Sequence, residues 1–130
     1  MNISEINSTS PNFNGKIITK GKITPYLQDE ILNNKELQKL ASGEKDILVR
    51  IKNKKERNYH VNHAKGEMLY RLSVESKKQN ETLADKVKSF LGLTTKVNLS
   101  KAYHSEVSTA SIIKKRINAK FLAKKLNIEV

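Results

Sequence analysis

ILVRIKNKKERNYHVNHAKGEMLYRLSVE, residues 47–75, is the stretch on which the fold turns. Ile47, Val49 and Ile51 alternate with Leu48, Arg50 and Lys52. Tyr59 and Val61 alternate with Asn58, His60 and Asn62, and Met68, Tyr70, Leu72 and Val74 alternate with Leu69, Arg71, Ser73 and Glu75. Side chains on a strand point alternately to its two faces, so a period of two marks strands with one apolar face. Three such runs, separated by polar turns at 53–56 and 63–66, predict an antiparallel meander. One face carries the core; the other presents Arg50, Lys52, Asn58, His60, Asn62, Arg71 and Ser73.

On either side the periodicity becomes helical. Thr24-Pro25 pairs an N-cap hydroxyl with proline at the first helical position. Leu27, Ile31 and Leu32 open an apolar stripe that Leu37 and Leu40 extend to Gly43, with a break available at Asn33-Asn34. A second helix is predicted over 80–91, with Leu83, Val87, Phe90 and Leu91 on one side and Gly92 as its stop. From about Ser100, Tyr103, Val107, Ala110, Ile113, Ile117 and Phe121 recur at spacings of three and four, and Asn118 offers a point of division. Ile17, Ile18 and Ile23 around Gly21 leave room for a fourth strand within 16–23.

The expectation is therefore an α+β fold: a three-stranded antiparallel meander, four-stranded if 16–23 joins it, packed on one face by two or three helices. Residues 1–15, rich in Ser, Thr and Asn around Pro11, read as a disordered polar tail, leaving 16–130 as a single basic domain. That leader has neither a basic start nor an apolar run. The expected location is the cytoplasm, or outside it by a route that needs no Sec signal peptide. No run approaches the ~18 apolar residues of a membrane span, so a soluble chain is expected.

The 25 basic and 13 acidic residues leave a net charge of +12, and lysine outnumbers arginine 21 to 4. Such a field attracts polyanions. The same lysine excess also fits a solubilising coat or a compositional bias. The absence of cysteine excludes disulfides, thiol chemistry and thiolate zinc sites. Lys114, Lys115, Arg116, Lys120, Lys124 and Lys125 crowd one helical segment. At 100° per residue they do not collect opposite an apolar face, and Lys114 falls near Ile117 and Phe121. That argues against an interfacial membrane helix and leaves phosphate contact open.

His60, His63 and Glu67 resemble a metal set, but a spacing of three on a strand points successive ligands to opposite faces. No metal or other cofactor is expected. His60, His63 and His104 with neighbouring lysines are the raw material of a metal-independent ribonuclease, with no spacing that forces them together. No phosphate-binding loop, nucleophile elbow or dinucleotide fingerprint occurs. Tyr59 and Tyr70 have core parity, which argues against base stacking on the sheet, and four arginines leave few readers of guanine.

Asn62-His63-Ala64-Lys65, followed by a strand and then Ser76-Lys77-Lys78 before a helix, is similar to the loop and helix start of double-stranded-RNA-binding domains. One strand instead of two separates the motifs, so no residues are carried over. Ala119 to Val130 looks like the opening of a helix-turn-helix whose recognition helix does not follow. The leading expectation is a non-enzymatic module that contacts a polyanion, above all nucleic-acid backbone, with little sequence preference. Its contacts would be Arg50, Lys52, His60, Arg71, Lys114, Lys115, Arg116, Lys120 and Lys124. The alternative is a small bacterial or phage effector or inhibitor that engages an acidic protein surface, its polar leader serving delivery; the ribonuclease stands third.

Overall fold

The computed structural model describes residues 15–43, 45–56, 67–77, 82–91 and 95–128. Its elements run β1 (Ile17–Lys20), α1 (Pro25–Leu32), α2 (Lys35–Leu40), β2 (Asp46–Glu56), β3 (Glu67–Lys77), α3 (Leu83–Phe90), β4 (Lys96–Asn98), α4 (Glu106–Arg116) and α5 (Ala119–Leu126). The strands form one sheet in the order β1-β2-β3-β4. β2, β3 and β4 are the antiparallel meander. β1 joins β2 in parallel, which requires a crossover, and α1 and α2 supply it. The sheet is therefore mixed, where the sequence predicts an antiparallel one.

The run 58–62, expected as the middle strand, lies outside the described residues. β2 instead pairs directly with β3 along its whole length, from Asp46 opposite Lys77 to Glu56 opposite Glu67. The third place in the meander belongs to β4, which contributes only three residues, with Val97 beside Val74.

The apolar parity read from the sequence builds the core. Ile47, Val49 and Ile51 of β2 and Tyr70, Leu72 and Val74 of β3 are buried on one face, joined by Ile17 of β1. Leu27 and Ile31 of α1, Leu37 and Leu40 of α2, Ala110 and Ile113 of α4, and Leu122 and Leu126 of α5 cover it. Each of the leucine, isoleucine and valine side chains contributes roughly 1.5–3 kcal/mol on burial. Met68, which shares the parity, is exposed at the far end of β3, where the two strands run past the helices.

Four helices pack on this face, where two or three were expected. Asparagines make the difference. Asn34 caps α2 by accepting from Leu37 N at 3.0 Å, and Asn118 caps α5 by accepting from Phe121 N at 2.9 Å. Each cuts one long apolar pattern into two shorter helices. α2 then fixes the α4–α5 joint: Asn34 Nδ2 donates to Ile113 O at 2.8 Å, and Glu36 Oε1 accepts from Ala119 N at 3.0 Å. The split rephases the stripe in α5, so Phe121, assigned to it by spacing, is exposed; Val107, in the first turn of α4, is exposed as well. Asn127, left-handed at φ 58°, stops α5.

Gly21 follows β1 with φ 116°, and a Cβ there would sit 2.4 Å from Ile51 O. Only glycine lets the chain leave the sheet this close to β2. Gly15 is buried and would place a Cβ 2.2 Å from Lys45 O, so the packed body already includes residue 15. Residues 1–14, expected as most of the tail, lie outside the described residues. No helix among the described residues is long and apolar enough to cross a membrane.

Candidate polyanion-binding face

The outer face of the sheet is a ladder of rungs fixed by register. The first rung is Ile18, Leu48, Glu75 and Lys96; the second is Lys20, Arg50, Ser73 and Asn98. Lys52 and Arg71 make the third, Lys54 and Leu69 the fourth, and Glu56 and Glu67 the fifth. Leu48, Ser73 and Glu75 are buried, so the open part of the face begins at Arg50 and continues along the projecting strands.

Three of the expected contacts, Arg50, Lys52 and Arg71, thus come together on one face. They are not equivalent. Arg50 Nη2 holds Glu75 Oε1 at 3.1 Å, and the Glu75 side chain is only 7% exposed. This arginine neutralises a buried carboxylate, so it offers a ligand less net charge. Lys52 and Arg71 face each other directly across the strands, and neither makes an ion pair among the described residues. Like charges in direct cross-strand register destabilise a sheet.

An aromatic ring meets this pair from a segment the sequence assigned to a helix. Tyr70 N donates to His104 O at 2.8 Å and His104 N to Tyr70 O at 2.9 Å, which continues the sheet edge by one residue pair. His104 therefore falls on the Tyr70 side, and its neighbour Tyr103 falls on the outer face. The Tyr103 ring centroid lies 5.2 Å from Arg71 Cζ and 5.7 Å from Lys54 Nζ, within cation–π range. Sequence reasoning missed Tyr103 and Lys54. The three-and-four spacing drew Tyr103 into the α4 stripe, yet α4 begins at Glu106, capped by Ser105. Lys54 fell in a predicted turn that is strand. Its even parity with Lys52 was the available signal.

The helical set lies on the other layer. Lys114, expected inside the apolar stripe, is exposed and bridges to Glu30 of α1 at 3.3 Å, with its ammonium 6.0 Å from the Tyr26 ring. Glu30 raises its pKa, with Tyr26 adding to the effect. Lys115, Arg116, Lys120 and Lys124 are exposed on α4 and α5, and Lys125 lies over the Phe121 ring at 5.6 Å. These side chains do not join the sheet-face cluster, because the core separates the two layers.

His60, like His63, lies outside the described residues. His104 sits in the edge pairing with Tyr70, its carbonyl also accepting from Thr109 Oγ1 at 3.3 Å. Among the described residues no group of three histidines or carboxylates could hold a metal ion. α3 stands apart from the core, with Leu83 78% and Phe90 88% exposed. No family model, no curated protein and no solved structure matches the chain.

Proposed function

We propose that this protein is a binding module for a polyanion, nucleic-acid backbone above all, and that the open outer face of its sheet makes the contact. The observation that carries this reading is the Lys52–Arg71 pair, two cations in direct register with no partner carboxylate among the described residues. A pairing that costs the free protein stability is offset when phosphates neutralise it. Lys54, and Lys20 at the β1 edge, widen the patch, and Lys115, Arg116, Lys120 and Lys124 supply long-range attraction from the far layer. Among the described residues, Arg71 is the one arginine on the face without a carboxylate partner, so low sequence preference follows.

Titrating the protein with random-sequence DNA and RNA between about 50 and 200 mM salt tests the proposal. Affinity is expected to fall steeply and linearly on a log–log plot. An absence of binding at low salt, or binding indifferent to salt, rules it out. The second reading, an effector or inhibitor with an acidic protein partner, draws its support from α3. Leu83, Val87, Phe90 and Leu91 are exposed together, and apolar residues grouped on a surface mark protein interfaces better than phosphate sites.

A further inference from the structure

We infer that the ligand of the outer face is single-stranded nucleic acid and that Tyr103 is where one of its bases stacks. The inference rests on the polyanion reading and narrows it. Among the described residues the uncompensated positive charge is short along the strands. Glu75 neutralises Arg50 at one end, and Glu56 faces Glu67 on the same side at the other. Between them lie only the rungs of Lys52 with Arg71 and of Lys54 with Leu69. Successive rungs on one face are about 6.8 Å apart, so this patch spans a few nucleotides. A duplex laid along the ribbon would carry its phosphates onto the Glu56–Glu67 rung and meet repulsion there.

The patch also holds something a phosphate has no use for. Tyr103 is the one aromatic residue on this face among the described residues; Tyr70 is buried in the core, and Tyr26, Phe90 and Phe121 belong to helices. Its ring is half-buried and flanked by Lys54 and Arg71. A base in a duplex is already stacked on its neighbours, whereas an unpaired base has a free π-face for a tyrosine ring or a guanidinium plane. Phosphates on Lys52 and Lys54 with a base at Tyr103 and Arg71 would use the three cations of these two rungs and the ring beside them. The reciprocal backbone bonds between Tyr70 and His104 hold the ring's position without depending on the ring itself.

The test compares three probes of equal length at low salt by fluorescence anisotropy: oligothymidylate, an abasic deoxyribose-phosphate strand, and a duplex. The wild-type protein should bind oligothymidylate at least about five-fold more tightly than the abasic strand, the low end for one stacked base. Tyr103→Ala should erase that preference while leaving abasic-strand affinity and its salt slope unchanged, and Tyr103→Phe should restore it. Equal wild-type affinity for the two single strands overturns the inference without recourse to any variant. So does a duplex bound as tightly as oligothymidylate, or a Tyr103→Ala variant that weakens both single strands alike, which would make the ring only a support for Arg71. Failure of all three probes to bind overturns the polyanion reading as well.

Discussion

Asn34 makes two contacts with two halves of one amide. Its oxygen caps α2 and its nitrogen holds the last turn of α4 through Ile113 O. Asn34→Asp keeps the cap and loses the tether, whereas Asn34→Ala loses both. Chemical denaturation should therefore rank wild type above Asp and Asp above Ala, with Ala lower than wild type by about 1–2 kcal/mol. Two residues on, Glu36 holds Ala119 N at the start of α5. That backbone hydrogen bond, with Lys39 adding to it, keeps the Glu36 pKa below its ordinary value. A depressed carboxylate stabilises the fold above its unfolded pKa and loses that contribution as pH falls through the folded value. The stability gap between wild type and Glu36→Gln should thus be full at pH 7 and shrink below the ordinary glutamate range, read as midpoints across a pH series. Lys52 presents the opposite economy. Lys52→Thr removes a like-charge neighbour of Arg71 and should raise stability by about 0.2–1 kcal/mol while weakening polyanion binding. A variant both less stable and unchanged in binding would refute the role given to that pair.

At the scale of elements, burial separates α3 from every other helix. Ile31 of α1 is fully buried, and Ile31→Ala should cost about 2–5 kcal/mol in an unfolding titration. Phe90 of α3 is 88% exposed, and Phe90→Ser should stay within about 0.5 kcal/mol of wild type. In the sequence the two helices look alike, because periodicity reports that a helix has an apolar side and not whether anything covers it. The same limit explains the rest of what was and was not legible. Strand parity predicted the buried inner faces of β2 from Ile47 to Ile51 and of β3 from Tyr70 to Val74, since alternation is local and so is its cause. The extension of β2 past the core was hidden, because Asn53, Lys54, Lys55 and Glu56 are poor strand formers held by pairing with Tyr70, Leu69, Met68 and Glu67. Tyr103 was hidden for a related reason. Its spacing to Val107 satisfies a helix, and only the tertiary pairing of His104 with Tyr70 turns it onto the sheet. The candidate site was therefore half legible: Arg50, Lys52 and Arg71 by parity, Lys54 by a parity that its turn-like neighbours obscured, and Tyr103 only through contacts between segments distant in sequence.

Over the whole molecule, two clusters of cations among the described residues lie on opposite layers: Lys52, Lys54 and Arg71 on the sheet, and Lys115, Arg116, Lys120 and Lys124 on α4 and α5. A short strand cannot touch both at once, so one surface contacts the ligand and the other only adds to the field that draws it in. Two double charge reversals separate contact from field. Lys52→Glu with Arg71→Glu alters the sheet face, and Lys120→Glu with Lys124→Glu alters α5. Each takes the net charge from +12 to +8, so the change in the long-range field is the same in sign and size. Both should slow association at low salt. A phosphate contact on single-stranded nucleic acid contributes about 0.7 to the log–log salt slope, so the sheet double should lower the slope by about 1.4. The α5 double should leave the slope where it was, because the counterions released on binding come from phosphates seated elsewhere. Lys120 and Lys124 are exposed on α5, and an unfolding midpoint for each double separates a loss of contact from a loss of fold. Equal slopes in the two doubles would mean that the ligand sees only a diffuse charge. The lysine excess would then be a solubilising coat, and Lys52 and Arg71, without a carboxylate partner among the described residues, an uncompensated cost to the sheet.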